Sequence, residues 1–142
     1  MKGFLLDTNV ISEYTRAKPP DATVKRWVDA QIEGSLYLSA LTFGEIRKGV
    51  TLLSPSNKRD ALERWLDIDL RIRFESRILP IDERVAELWG VMAAQGQMKG
   101  VLLAIIDGLV AATAIHHDLT VVTRNVRDFA VWAVPVVNPW EP

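Results

Sequence analysis

The stretch Phe4-Leu5-Leu6-Asp7-Thr8-Asn9-Val10 turns abruptly from apolar to acidic. A short apolar run closed by polar residues reads as a buried β-strand ending in a turn, and Val10 to Tyr14 then begin a helix. The same alternation recurs along the chain. Leu36-Tyr37-Leu38, Ile78-Leu79-Pro80-Ile81, Thr120-Val121-Val122-Thr123 and Val134-Pro135-Val136-Val137 are four further strand candidates. The β-branched run at 120–123 suits a fully buried parallel strand, and Pro135 argues for an edge position.

Helical periodicity fills the intervals. Asp21 is placed to cap a helix carrying Val24, Trp27, Val28 and Ile32 on one face, and Phe43, Ile46, Val50 and Leu53 recur at helical spacing. Ser54-Pro55-Ser56-Asn57 stops that helix and opens another through Leu62, Trp65 and Leu66. Asp82 precedes a helix bearing Val85, Leu88, Trp89 and Met92, residues 95–100 read as a loop, and residues 105–117 are helical again. Strands alternating with helices predict an open, mostly parallel five-stranded sheet flanked by helices, with right-handed crossovers.

Composition bounds the function. The chain has 142 residues, 49% of them hydrophobic and 25% charged, which matches one ordinary globular domain over residues 1–142. A formal charge of −1 provides no global basic field, so a nucleic-acid ligand would be held by local Lys and Arg or through cations. The absence of cysteine excludes disulfides, thiolate nucleophiles and Cys-type zinc sites, and fits a reducing compartment. The apolar stretch behind Met1-Lys2 stops at Asp7, too short for a signal-peptide core, and no run approaches the roughly 18 to 20 apolar residues of a membrane span. A cytoplasmic, unprocessed chain is the expectation.

Three acids stand where apolar residues are expected: Asp7 after the first strand, Glu45 in the helix after the second, and Asp107 early in the helix feeding the fourth. Each alone has an ordinary reading: a helix cap for Asp7, a solvated helix edge for Glu45, a first-turn acid for Asp107. Together they point to a shared cation, because two carboxylates 4 Å apart repel by roughly 4 kcal/mol at an effective dielectric of 20. Ligands beyond the carboxyl ends of the strands are the rule in open α/β sheets, and Asp7 lies there. An all-oxygen set favours Mg²⁺ or Mn²⁺ over zinc. His116 and His117, the only histidines, are adjacent and so point about 100° apart on a helix. There is no G-x-S-x-G elbow, Walker A or G-x-G-x-x-G. An aspartyl-phosphate phosphatase would carry a second Asp where Asn9 stands.

Five segments in order resemble a known family: Leu5-Leu6-Asp7-Thr8-Asn9-Val10-Ile11-Ser12; Leu38-Ser39-Ala40-Leu41-Thr42 leading into Gly44-Glu45-Ile46; Asp107-Gly108-Leu109-Val110-Ala111-Ala112-Thr113-Ala114; residues 119–129; and Asn138-Pro139-Trp140. Together they resemble PIN-domain proteins of the VapC/FitB type from end to end. The resemblance implies a Mg²⁺- or Mn²⁺-dependent ribonuclease acting as the toxin of a type II toxin–antitoxin pair. It also implies a homodimer, neutralised by a small antitoxin whose DNA-binding domain brings the complex to its operator. The family's acidic cluster matches Asp7, Glu45 and Asp107. Many relatives have a fourth acid where this chain has Asn125, whose amide oxygen is a weaker donor, and Asp128 supplies the charge if the segment turns.

On this reading Asp7 and Asp107 bind the metal directly, and Glu45 binds a second ion or orients the attacking water. Thr8, Asn9 and Thr123 hold metal waters or phosphate oxygens, while Arg124, Arg127, Arg47 and Lys48 are candidates for backbone contacts. Two rivals remain: a DNA- or structure-specific nuclease with the same site, and an inactive module that holds an antitoxin on operator DNA. Retention of all three acids argues against the second.

Overall fold

The computed structural model describes residues 2–16 and 18–142. Five strands, β1 (Phe4–Leu6), β2 (Leu36–Ser39), β3 (Ile78–Leu79), β4 (Thr120–Val122) and β5 (Val136–Val137), form one sheet in the order β3-β2-β1-β4-β5. Every neighbouring pair is parallel, with Phe4 opposite both Leu36 and Thr120, and Leu6 opposite Val122. The sheet is thus wholly parallel, more uniform than the sequence pattern required. β5 is an edge strand, as Pro135 suggested.

A parallel sheet covered on both faces explains why the central strands read as unbroken apolar runs. Successive side chains point to opposite faces, so one strand feeds two cores. Leu6 and Val122 join Val10, Leu36, Phe43, Leu66 and Phe74 on one side, while Leu5 and Val121 join Val85, Ala111, Ala114, Phe129 and Trp132 on the other. The first core is roofed by α1 (Thr8–Ser12), α2 (Ala22–Asp29), α3 (Ala40–Thr51) and the run α4 (Asn57–Arg64) to α5 (Leu70–Arg73). A π-helical turn over Trp65–Asp69 joins α4 to α5 and keeps both Leu66 and Leu70 buried. The second core lies under α6 (Glu83–Met98), α7 (Ile105–His116) and the short α8 (Val126–Phe129).

Helix starts follow capping chemistry. The Asp21 carboxylate accepts from the Thr23 and Val24 amides, Ser39 from Leu41, Ser56 from Arg59 and Asp82 from Val85. Three expectations fail. α3 ends at Thr51, short of Leu53. α2 ends at Asp29, so Ile32 falls beyond it and is 63% exposed instead of lying on the buried face. Residues 95–98, expected in a loop, continue α6. The stop comes at Gly100, whose φ of +73° lies in the left-handed region that glycine enters without strain. There the Val101 amide donates to the Gly96 carbonyl (2.9 Å) and the Gly100 amide to that of Gln97 (3.0 Å), the two bonds of a Schellman terminus. The termination signal was therefore the glycine, not the polar residues before it.

β1 pairs with β2 on one side and with β4 on the other, so the crossovers diverge there and leave a crevice beyond the carboxyl ends of β1 and β4. α7 is held close to this crevice at Gly108. A Cβ there would meet Trp89 Cδ1 and Nε1 at 2.9 Å and Trp132 Cζ2 at 3.2 Å.

These contacts set opposite signs for two glycine substitutions. Gly108→Ala gains helix propensity worth about 1 kcal/mol but forces two indole rings apart at a typical overpacking cost of about 1–3 kcal/mol, so it should lower the urea midpoint. Gly90→Ala, in the interior of α6 with nothing within 4 Å of the added carbon, should raise stability by about 0.5–1 kcal/mol. Urea unfolding of both variants checks the pair.

Candidate metal and nucleic-acid site

Asp7 is fixed from three sides. Its amide donates to the Val122 carbonyl (2.9 Å), extending the β1–β4 ladder by one residue. Its side chain caps α1, with Oδ1 accepting from the Thr8 amide at 2.9 Å, so the ordinary reading of this residue holds. Oδ2 accepts from the Thr123 hydroxyl at 2.8 Å and, at 3.4 Å, from Asn9 Nδ2. The Thr123 hydroxyl in turn accepts from Asn9 Nδ2 (3.1 Å) and from the Asn125 amide (3.0 Å). Thr123 is the residue after β4, as Asp7 is the residue after β1, so parallel pairing delivers both to the same end of the sheet. Asp7 is only 8% exposed, and every one of these donors is uncharged.

Glu45 reaches the same crevice from α3. The Thr8 hydroxyl donates to Glu45 Oε1 at 2.7 Å and lies 3.0 Å from the Thr42 hydroxyl. A carboxylate accepts only, so the Thr8 proton is committed to Glu45 and Thr42 must be the donor to Thr8. The result is a directed chain, Thr42 to Thr8 to Glu45. Thr42 was not singled out from the sequence. Its position, three residues before Glu45 on the same helix face, was the available signal.

Asp107 is the third residue of α7, in the first turn as expected, with Ala104 at the cap. Its carboxyl is pushed up to about 6, first by burial and then by the charges of Asp7, Asp128 and Glu45. Burial likewise raises Asp7, opposed by the hydrogen bonds from Thr123 and Thr8 and reinforced by Glu45 and Asp128. Asp7, Glu45, Asp107 and Asp128 therefore share one field. Asn125 instead directs its backbone amide at Thr123, and α8 carries Asp128 on toward the acids. Asp128 lines one hollow with Asp107.

Among the described residues, no three Asp, Glu or His side chains close on a common point as a complete ligand shell. The donor set still fits a hard divalent ion: carboxylate and hydroxyl oxygens, no thiolate, and mutual repulsion that such a charge relieves. Mg²⁺ in particular retains several waters and takes one or two carboxylates. Asp7 and Asp107 with Glu45 and Asp128 around them are suited to that mode.

The basic candidates divide. Arg47 forms an ion pair with Asp67 and is drawn away from the crevice. Lys48 lines a 340 Å³ hollow with Glu45, Leu41, Ile81 and Ile106, and Arg127 lines a 260 Å³ hollow with Asp107, Asp128 and Trp132. The Arg124 amide donates to Asn9 Oδ1 at 3.4 Å while its guanidinium lies over the Trp140 ring. His116 and His117 meet edge to face, 4.8 Å between ring centres, at the opposite end of α7 from Asp107. They take no part in the acidic cluster.

Comparison with known proteins agrees with this architecture. The family model described as PIN domain matches residues 4–133. The chain is 43% identical to Toxin FitB of Neisseria gonorrhoeae over 136 residues, 96% of this chain and 97% of that one. It is 36% identical to VapC ribonuclease Y4jK of Sinorhizobium fredii over 138 residues, 97% of this chain and 98% of that one. The crystal structure of FitAcB from Neisseria gonorrhoeae superposes with a TM-score of 0.91 at 42% identity, covering 98% of this chain and 99% of that one. The chain belongs to the PIN-domain family, among its FitB- and VapC-type members.

Proposed function

We propose that this protein is an endoribonuclease that hydrolyses RNA phosphodiester bonds with a carboxylate-bound Mg²⁺ or Mn²⁺, and that it serves as the toxin of a type II toxin–antitoxin pair. The observation that carries the reading is the gathering of acids at the β1/β4 crevice, with Asp7 capping α1, Glu45 bonded to the Thr8 hydroxyl, and Asp107 and Asp128 lining one hollow. Support for the substrate comes from a relative 36% identical that is named a VapC ribonuclease.

When bound, the ion supplies positive charge to the phosphate and lowers the pKa of a water. Asp7 and Asp107 would hold it. The Thr8 hydroxyl occupies Glu45 Oε1, which leaves Oε2 to orient the attacking water and accept its proton. Thr123 and Asn9 keep Asp7 Oδ2 in place, and Arg124 and Arg127 stand at the rim for backbone phosphates. Asp128 adds the fourth negative charge that Asn125 lacks.

The partners follow from the same relationship. The structure of FitAB bound to an IR36 DNA fragment superposes with a TM-score of 0.91 at 40% identity. By extension this chain works with a small antitoxin and, through it, operator DNA. An antitoxin Arg is the natural plug for a crevice of carboxylates held by uncharged donors. A homodimer is supported by the exposed apolar ridge of Met98, Val101, Leu102 and Ile105, of which Leu102 is fully exposed. No helix among the described residues is long and apolar enough to cross a membrane. We assign the chain as a single PIN domain over residues 1–142 acting in the cytoplasm.

Purified, antitoxin-free protein incubated with mixed RNA and mixed DNA pools should cut RNA in Mn²⁺ and stop in excess EDTA. Cleavage of DNA alone, or full activity in EDTA, would sink the reading. Asp7→Asn and Asp107→Asn should each abolish cleavage and leave a cooperative thermal transition. Addition of the antitoxin should raise the Mn²⁺ concentration needed for half-maximal activity.

The raised Asp107 carboxyl gives the pH dependence a sign. Metal binding requires the ionised form, so Mn²⁺ affinity should be full above about 6 and fall as the pH drops through it. Without metal, the native state holds the Asp107 proton more tightly than an ordinary Asp at 3.8, so stability declines as pH rises between 3.8 and about 6. Asp107→Asn should therefore raise Tm at pH 7, and the gain should vanish as the pH approaches 3.8. Calorimetry across that range measures it. In a Mn²⁺ titration, Asp128→Ala should weaken binding and Asn125→Asp should tighten it; if neither changes the affinity, α8 lies outside the metal's reach.

A further inference from the structure

The Asn138-Pro139-Trp140 motif, distinctive in the sequence, has no part in the acidic cluster. It follows β5 directly. The Thr123 amide donates to the Val137 carbonyl at 2.9 Å, so the motif leaves the sheet beside the residue that holds Asp7. Asn138 Oδ1 accepts from the Trp140 amide at 2.9 Å and the Asn138 carbonyl accepts from the Glu141 amide at 3.1 Å, which curls the chain back across the end of the sheet. Pro139 is buried, and Trp140 packs against the core cluster containing Leu6, Val10 and Val122. One face of the indole is thereby set by the core. The guanidinium carbon of Arg124 lies 5.2 Å from the ring centre.

Arg124 stands next to Thr123, yet its guanidinium makes no ion pair or hydrogen bond among the described residues. Several arginines elsewhere in the fold behave differently: Arg16 pairs with Glu13, Arg47 with Asp67, Arg59 with Glu63 and Arg73 with Glu33. The acids at this end of the sheet attract a cation carried on a long, freely turning side chain. Stacking on an aromatic face attracts the cation without using its N–H groups, which lie in the guanidinium plane and stay available at its edge.

We infer that Trp140 is a positioning residue: it holds the Arg124 guanidinium at the rim of the crevice, off the carboxylates, so that its forked N–H edge grips a backbone phosphate of the RNA beside the scissile bond. This inference rests on the ribonuclease reading. It adds a role for the Asn138-Pro139-Trp140 motif, with Arg124 as the group that touches substrate.

The test measures binding of a short 2′-O-methyl oligoribonucleotide of mixed sequence across a salt series, and KM and kcat on the cleavable RNA, for wild type, Arg124→Ala, Trp140→Phe, Trp140→Leu and the double variant Arg124→Ala/Trp140→Leu. Thermal melts confirm folding, and Trp140→Phe retains an aromatic face should Trp140→Leu fail to fold. Arg124→Ala should reduce the slope of log affinity against log salt by about 1, the loss of one phosphate contact. Trp140→Leu should do the same and raise KM with little change in kcat, the double variant should be no worse than either, and Trp140→Phe should restore most of the slope. Two results overturn the inference while the ribonuclease reading stands: a wild-type slope in Arg124→Ala, or loss in Arg124→Ala with a wild-type slope in Trp140→Leu. Additive loss in the double variant also overturns it, because Trp140 would then act apart from Arg124. Wild type that neither binds the oligoribonucleotide nor cuts RNA overturns the ribonuclease reading, and the inference with it.

Discussion

Like charges gathered in a partly dry crevice are the constraint around which this molecule is arranged. Burial raises the cost of ionising Asp7 and Asp107, and the charges of Glu45 and Asp128 add to it. Proteins usually relieve such clusters with a lysine or arginine. Here the relief is deliberately partial: the groups that reach Asp7 and Glu45 are hydroxyls, an amide side chain and backbone N–H groups. Neutral donors fix geometry without cancelling charge, and the crevice stays attractive to a cation from outside.

The fold sustains this because its elements converge without depending on the acids themselves. A parallel sheet buried on both faces holds β1 and β4 in register, and that register alone sets Asp7 beside Thr123. α7 is pressed in at Gly108 by two indole rings, which places Asp107 over the same end. α3 starts from the carboxyl end of β2 and returns Glu45 to Thr8 through a hydroxyl chain whose direction is dictated by the carboxylate. Hydrophobic burial on two sides thus holds the repelling groups together, and a substitution that neutralises one acid relieves strain without touching either core.

The sequence by itself determined a good deal. The apolar runs at residues 4–6, 36–38 and 120–123 are short, continuous and bounded by polar residues, which leaves a buried strand as the economical reading, and the alternation with helices implies parallel pairing. Asp7 was legible as a strand-end acid because an ionisable group closing an apolar run needs a reason. Glu45 and Asp107 became legible only as a set, since each has an unremarkable role alone. Local pattern misjudged the end of α6, where a glycine at positive φ mattered more than the polarity of residues 95–98, and it kept Ile32 on a helix face that stops at Asp29.

What only tertiary structure decided is which groups meet across long separations. The order of residues leaves open whether Asp128 comes near the other acids; the short helix α8 brings it to line one hollow with Asp107, while the Asn125 backbone amide donates to Thr123. The Thr42–Thr8–Glu45 chain spans α1 and α3, and the Arg124–Trp140 stack spans the segments after β4 and β5. Periodicity reports which face of an element is buried, because burial acts on each residue in turn. Hydrogen bonds and cation–π contacts depend on ångström distances between elements, and those distances exist only once the sheet order β3-β2-β1-β4-β5 has brought the strand ends together.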